Sequence, residues 1–305
     1  MKFISRGILL YLVASALTVG TALAQLSSEQ VAEKITGGGI APFKSSTAFA
    51  PTQSAGASWK TSLFDKSVAA KAQGGTASGS SDAWHYQFTP YLVLPSFNGT
   101  AGVNGRVVGS NASASDILSN LNFAFMGAFE ARKNKFVLLT DILYVNLADS
   151  NARPGPLFSS AHTDFKAFIL DPEVGYRLAE KQGASLDVLA GIRYWHMSTR
   201  LDLRAGALPA TQLDANKNWV DPIIGLRGKI PLSPRFFLTA KGDLGGFGVG
   251  SHFTWQLFGG LGINVGKRAA LVLGYRNLDV DYSDNNGFLF DMAIRGPMLG
   301  FGFKF

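Results

Sequence analysis

Apolar residues alternate with polar residues or glycine along most of this chain, and this alternation constrains the fold more than any other feature. The stretch RGPMLGFGFKF shows it, because Leu299, Phe301 and Phe303 share one parity while Gly300 and Gly302 share the other. A period of two is the spacing of a β-strand whose faces meet different surroundings. The pattern occurs in ten segments: 84–95, 120–132, 135–148, 163–179, 184–203, 217–231, 235–247, 251–265, 268–282 and 288–305. The sequence therefore predicts an all-β fold.

The lengths of these segments and of their connections indicate a membrane barrel. Most segments exceed the roughly 5–6 residues of a soluble strand and suit the roughly 9–11 residues that cross a bilayer at a tilt. Short turns such as ARKNKF and VGKRA alternate with longer or glycine-rich connections, most clearly at 96–119, 149–162 and 204–216. Outer-membrane barrels place short turns in the periplasm and long loops outside. Within 96–119, Ser113 or Ser115 is expected to cap a short helix.

The two faces of each segment differ in the way that a membrane barrel requires. In segment 251–265, Trp255 and Leu257 share an apolar face, and Thr254 and Gln256 share a polar one. An apolar face suits lipid, and the ring must close because an open sheet edge in lipid leaves backbone groups without hydrogen bonds. We predict an antiparallel up-and-down transmembrane β-barrel of about ten strands, within a range of roughly eight to twelve.

The region before the barrel divides into two parts. Residues 1–24 have a basic start, the apolar stretch GILLYLVASALTVG and the small-x-small sequence ALA, which together predict a cleaved secretory signal peptide. Residues 25–82 are rich in glycine, serine and alanine, with too few large apolar residues to build a core. They are predicted to form a flexible, disordered periplasmic tail, so that residues 83–305 form the barrel in the outer membrane.

Composition excludes several other classes of function. The chain has no cysteine, which excludes disulfides and thiolate metal sites. Its net charge of +7 is modest and scattered, so a nucleic-acid partner is not expected. The histidines show no metal-ligand spacing, and neither a metal nor a cofactor is expected. Asp279, Asp281 and Asp284 near one loop could contact calcium or bridged lipopolysaccharide, although a solvated turn is the preferred interpretation.

Several quoted stretches resemble one known family. FTPYLVLPSFNGTAGVNG, GIRYWH, KGDLGGFGVGSHFTWQ, LGYRNLDVDY and GPMLGFGFKF are similar to a poorly characterised family of Gram-negative outer-membrane β-barrel proteins, the small porin-like or OmpA-type transmembrane barrels. The resemblance covers 84–305 and implies a fold and a location, but no activity. It also implies that Phe301, Phe303 and Phe305 form the assembly signal read by the outer-membrane insertion machinery. Outer-membrane lipid and lipopolysaccharide are the other expected partners.

The polar parity assigns a nearly balanced set of charges to the lumen. These residues are Glu130, Arg132, Asp141, Asp171, Glu173, Arg177, Asp187, Arg193, Asp221, Arg227, Lys229, Lys241, Asp243, Arg276 and Arg295. A narrow barrel has little free interior, and an unpaired buried charge is costly, so the charges are expected to pair. The preferred interpretation is a non-enzymatic structural or surface-interaction barrel. The alternative is a narrow, porin-like passive channel for small solutes.

Two further expectations concern the strand ends. His196 and Ser198 share a face near one end, and with a carboxylate they could form the centre of a lipid acyl-hydrolase, which is a remote alternative. Aromatic residues near the segment ends are expected to form girdles at the membrane interfaces. They are Trp84, Tyr86, Tyr144, Tyr176, Tyr194, Trp195, Trp219, Trp255, Tyr275, Tyr282, Phe303 and Phe305.

Overall fold

The computed structural model describes residues 83–103, 106–152 and 158–305. The predicted signal peptide and tail, 1–24 and 25–82, lie outside the described residues. The elements are β1 (His85–Val93), β2 (Ser96–Val103), β3 (Arg106–Ala112), α1 (Ala114–Ser119), β4 (Leu121–Lys133), β5 (Phe136–Ala152), β6 (Phe158–Lys181), β7 (Ala184–Ala205), β8 (Thr211–Pro231), β9 (Phe236–Gly245), β10 (Phe253–Val265), β11 (Ala269–Ser283) and β12 (Leu289–Lys304). In the part of the chain that the structure describes, no helix is long and apolar enough to cross a membrane.

Ten of these strands form a closed antiparallel ring. The ring runs from β1 to β4 and then through β5 to β12 in chain order, and β1 pairs with β12 to close it. At the closure, Phe88 of β1 lies opposite Phe303 on one side and Phe129 on the other. The prediction of an antiparallel up-and-down barrel of ten strands is confirmed.

The connection 96–119 is a hairpin followed by a helix. Strand β2 continues along the edge of β12 where β1 leaves off, and β3 pairs back on β2. Ser113 caps α1, because its hydroxyl accepts from the backbone N–H of Asp116 at 3.3 Å while the Asp116 carboxylate accepts from the backbone N–H of Ser113 at 3.1 Å. The expected short helix is therefore confirmed.

The connections predicted at 149–162 and 204–216 are largely strand. Strands β6, β7 and β8 have 24, 22 and 21 residues, whereas β9 has 10. The long strands continue past the level where β9 ends because their far ends bury an apolar cluster of their own. In this cluster Leu201 and Leu213 pack with Ala161. Treating these stretches as loops was wrong, since the backbone ladder persists wherever one face of the sheet stays buried.

The outer surface carries a band of exposed apolar side chains. Val174, Leu226, Leu257 and Leu273 are each more than half exposed on that face. A monomeric soluble protein rarely exposes so large an apolar surface, but a lipid-facing one requires it. Most of the predicted girdle residues share this outward parity. Three do not: Trp195 and Trp219 are buried in the lumen and Tyr282 stacks on Trp219, so their assignment to a girdle was wrong.

Candidate functional site

The lumen of the barrel holds every predicted lumen charge except Arg295, either buried among luminal side chains or lining a luminal cavity. Arg295 instead lies on the outward parity of β12, where its side chain is 47% exposed and reaches Asp279 at 3.6 Å. The prediction that Arg295 faces the lumen is wrong, because inward and outward positions alternate along β12 and Arg295 has an outward one. Its neighbour Ile294 has the inward position and packs on the luminal apolar cluster.

The centre of the lumen is crossed by a layer of charges, which we call the central belt. Arg193 of β7 is fully buried, and its single Nε–H is shared between the two oxygens of the Asp171 carboxylate, at 3.0 Å from each. Its Nη2 donates to Asp171 at 2.9 Å and to Asp243 at 3.0 Å, and its Nη1 donates to Thr254 at 3.3 Å. One guanidinium thus ties together β6, β7, β9 and β10. Charge-assisted bonds of this kind compensate the burial of the three charges.

The rest of the central belt centres on Arg276 of β11. Its Nη1 donates to Tyr91 at 2.6 Å and to Asp141 at 3.1 Å, and its Nε donates to Gln256 at 2.9 Å. Tyr91 in turn donates to Asp141 at 2.7 Å. The Lys241 ammonium pairs with Glu173. Tyr91 and Gln256 were not predicted as site residues, although both occupy the polar parity and could have been found from it.

A second set of charges, which we call the inner arginine cluster, lies nearer the short turns. Arg227 donates to Asp187 at 2.7 Å and to Glu130 at 2.8 Å, so that it links β8 with β7 and β4. Arg177 donates to Asp187 at 2.9 Å, and Arg132 donates to Glu130 at 3.1 Å. Three arginines therefore share two carboxylates within the lumen.

A cavity of about 490 Å³ lies between the central belt and the end of the barrel that carries the short turns. Short turns mark the periplasmic side of an outer-membrane barrel. The lining includes His85 and Lys304, at the ends of β1 and β12, and Gly183 in the turn between β6 and β7, so the cavity reaches the periplasmic rim. Space remains here because luminal positions such as Gly302 and Ala270 carry small residues or no side chain.

The other half of the lumen is filled by apolar and aromatic side chains, which we call the outer plug. Its centre is a stack in which Trp219 lies 5.3 Å from Trp195 and 4.1 Å from Tyr282, both nearly parallel. The other buried members are Ala101, Ile169, Met197, Leu278, Val280, Phe288, Phe290 and Met292. Beside it, Ile117 of α1 packs with Val145 and Leu147 of β5. The helix therefore lies on the luminal side of the wall, at its outer end.

Asp221 joins the stack to the connection between β9 and β10. Its carboxylate is fully buried and accepts from the indole N–H of Trp195 at 2.9 Å and of Trp219 at 3.2 Å. It also accepts from the Ser251 backbone N–H at 2.6 Å and hydroxyl at 2.8 Å. Asp221 was predicted as one of a set of paired charges. All of these donors are neutral groups, so its role is to fix the plug and not to balance an arginine.

Parity could have located the aromatic stack. Tyr194 and Trp195 are adjacent, so only one of them can face lipid, and Trp219 shares the parity of Asp221 and Arg227. The structure places Tyr194 on the outer wall beside Phe168, at 6.2 Å between ring centroids, and Trp195 inside. The general tendency of aromatics to form girdles concealed this signal in the sequence.

His196 and Ser198 lie on the outward face of β7, just beyond Tyr194. Their cross-strand partners on β8 are Asn218 and Asn216. Within the described residues, neither side chain makes a hydrogen bond to the other or to a carboxylate, so the structure does not assemble the hydrolase centre that the sequence suggested.

The three aspartates near the β11–β12 turn do not share one position. Asp279 and Asp281 lie on the outward parity of β11, whereas Asp284 in the turn pairs with Lys217. Burial raises the pKa of Asp284, but the Lys217 ammonium and the backbone N–H of Phe288 outweigh that effect and hold the pKa below its usual range. Among the described residues, no group of three or more carboxylates or histidines is arranged to hold a metal ion.

The predicted assembly signal faces outward along the final residues of β12 and just beyond them. Its members are Phe301, Phe303 and Phe305. Their exposed fractions are 38%, 45% and 68%. Phe305 exchanges backbone hydrogen bonds with Tyr86 of β1 at 3.0 and 3.1 Å, and the two rings stack at 5.9 Å. The phenylalanine run therefore lines the seam where the ring closes.

Comparison with solved structures finds outer-membrane barrels. The chain is similar to the outer membrane protease OmpT from Escherichia coli, with 12% identity, 74% of this chain and 98% of that chain covered, and a TM-score of 0.46. It is similar to Ail, the attachment invasion locus protein of Yersinia pestis, with 13% identity, 73% and 98% coverage, and a TM-score of 0.34. It is also similar to the translocator domain of the autotransporter NalP from Neisseria meningitidis, with 13% identity, 73% and 89% coverage, and a TM-score of 0.39. No protein-family model and no curated protein matches the chain.

The closed antiparallel ring, with lipid-suited side chains outside and paired charges inside, decides the class of protein. The chain is an outer-membrane β-barrel. A fold by itself specifies no activity, so function must be argued from the lumen and the outer surface.

Proposed function

We propose that this outer-membrane barrel is a non-conducting, non-enzymatic protein that acts through its external surface. One observation carries the proposal: a continuous layer of buried side chains crosses the lumen. Arg193 and Asp171 in the central belt have no exposed area, and Trp195 and Leu278 in the outer plug are each 1% exposed. A hydrated ion needs a wet path, and the burial of these side chains among the described residues supports a lumen closed between the cavity and the external end.

Single-channel conductance of the refolded barrel in a planar lipid bilayer tests the proposal. We expect an inserted barrel to show no discrete steps, because the outer plug and the central belt block the lumen. A Trp219→Ala, Phe290→Ala variant should stay silent as well, because the central belt still crosses the lumen, and conductance in this variant would show that the belt does not block ions. Reproducible steps in the unaltered protein, changed by Arg227→Gln or Asp243→Asn, would establish the narrow channel instead.

The external surface supports lipopolysaccharide as a partner. Beyond Phe168 and Tyr194 the outward face turns polar, with Lys166, Arg200 and Arg204 among its residues. Lys166, which follows Phe168 on the outward face of β6, is placed to bind phosphates of the outer leaflet. A Lys166→Gln variant should retain less lipopolysaccharide on purification than the unaltered barrel, at equal folding yield. Equal retention would exclude this side chain as the contact.

The phenylalanine seam supports recognition by the insertion machinery. Phe305→Gln should lower the amount of folded barrel in the outer membrane, because it removes the terminal aromatic of β12. Phe136→Gln is a matched control, since Phe136 is 64% exposed near the same interface but lies on β5. Equal outer-membrane levels for the two variants would show that Phe305 acts only as one more lipid-facing side chain.

A further inference from the structure

The cavity at the periplasmic end of the lumen carries an excess of positive charge. Three acids line it: Glu130, Asp141 and Asp187. Seven bases line it: Arg132, Arg177, Arg227, Lys229, Lys241, Arg276 and Lys304. Charge pairing alone, which accounts for the central belt, does not account for this imbalance.

Two lysines in the lining are the source of the excess. Lys241 and Arg276 have carboxylate partners in the central belt. The three arginines of the inner arginine cluster have three acids, because Arg177 also pairs with Glu180 at 2.8 Å beside the shared Glu130 and Asp187. Among the described residues, no carboxylate lies within ion-pair distance of Lys229 or Lys304. The Lys229 ammonium instead lies 4.1 Å from the centre of the Phe237 ring. Strands β8 and β12 are four apart in the ten-strand ring, so the two ammonium groups enter the cavity from well-separated walls.

Two arginines in the lining also have a donor without an acceptor. Arg276 and Arg177 are 5% and 7% exposed, and the Nη2 atom of each has no acceptor among the described residues. These two atoms are buried and do not open onto the cavity, so Lys229 and Lys304 are the cations that favour an anionic ligand there.

We propose that this cavity binds a small multivalent anion that carries phosphate or carboxylate groups and enters from the periplasm. The volume of about 490 Å³ falls in the usual range for small-molecule sites. Residues at the periplasmic rim, including Lys304, form part of the wall, and the central belt closes the far side. The barrel is thus a receptacle open on one side, and this role does not depend on what its external surface binds.

Calorimetric titration of the full chain, folded in nanodiscs of zwitterionic lipid at low ionic strength, tests the proposal. Inorganic pyrophosphate is the phosphate probe, and citrate is the carboxylate probe. We expect saturable binding of at least one of them, and the tighter of the two identifies the ligand chemistry. A Lys229→Gln, Lys304→Gln variant should bind at least roughly tenfold more weakly, because two charged donors are lost.

Lys267→Gln is the matched control, because Lys267 is an exposed cation in the turn between β10 and β11 that does not line the cavity, and its loss should leave the affinity unchanged. The double variant leaves no carboxylate unpaired, so it should fold, which the mobility shift of the folded barrel on unheated gels checks. If it does not fold, Lys304→Gln alone at the end of β12 replaces it, with a weaker but measurable loss of affinity. No heat with either anion, or equal affinity in the lysine variant, would overturn the proposal.

Discussion

The two halves of the lumen lie on the same strands and the same parity, yet their chemistry is opposite. On β7 the luminal positions Asp187 and Arg193 are charged. The next luminal positions toward the external end, Trp195 and Met197, are apolar. The lipid-facing side of the same strand shows the opposite change at the same level, because its apolar positions end at Tyr194 and polar residues follow. Lipid surrounds the half of the barrel nearer the short turns, so the apolar face of that half must point out and its interior can be polar. Water surrounds the outer half, which therefore folds like a soluble barrel with its apolar face inside.

The largest effect should come from breaking the central belt. Arg193→Met leaves the buried carboxylates of Asp171 and Asp243 without their cation, which should lower the free energy of unfolding by about 3–5 kcal/mol. Urea unfolding of the refolded barrel, followed by tryptophan fluorescence, measures it. Arg200→Met is the control, because the Arg200–Asp214 pair is solvent-exposed and its loss should not be measurable. A similar small effect for both variants would mean that the belt is wet.

The next effect should come from the anchor of the outer plug. Asp221→Ala removes the acceptor shared by the indoles of Trp195 and Trp219 and by Ser251, and should cost about 2–3 kcal/mol. Because the stack itself changes surroundings, the fluorescence of the folded state should shift as well. A loss of stability with unchanged fluorescence would show that the stack does not depend on Asp221.

A smaller effect should follow from crowding the connection that packs on the plug. A Cβ atom at Gly250 would lie 2.4 Å from the Val220 carbonyl oxygen and 2.6 Å from the Asp221 carboxylate. Gly250→Ala should therefore cost about 1–2 kcal/mol in unfolding free energy. At Gly259, on the lipid face of β10, an added Cβ meets nothing within 4 Å, so Gly259→Ala should be close to neutral. Equal stabilities of the two variants would show that the connection is not tightly packed.

The smallest effect should come from the Lys217–Asp284 pair at the external end. Since the folded pKa of Asp284 is held below its unfolded value, the pair stabilises the fold above about pH 4 and loses that contribution as the pH falls further. Lys217→Met should cost at most about 1 kcal/mol at pH 7. The difference between the two proteins should shrink below about pH 4 in acid titrations of unfolding. If the difference in unfolding free energy stayed constant at every pH, it would come from packing of Lys217 on Phe288 and not from the ion pair.

Strand number, order and register parity followed from the sequence because a membrane barrel repeats one simple rule on every strand. The rule also located most luminal charges and the cap of α1 at Ser113. Arg295 shares the outward parity of Leu299, Phe301 and Phe303, so its assignment to the lumen followed its charge and not the rule. The assignment of Trp195 and Trp219 to a girdle also departed from their parity. Membrane depth, which parity does not encode, decides that their luminal positions are apolar.

The sequence by itself determined that this chain alternates, closes into a ring and places nearly balanced charges in the lumen. Only the tertiary structure decided which charges meet, because partners such as Arg193 and Asp243 are 50 residues apart and become neighbours only across the closed lumen. It also decided that no carboxylate of the described residues lies within ion-pair distance of Lys229 or Lys304. A ring brings together residues from strands that are far apart in the chain, and the distances across it depend on closure, not on any local pattern.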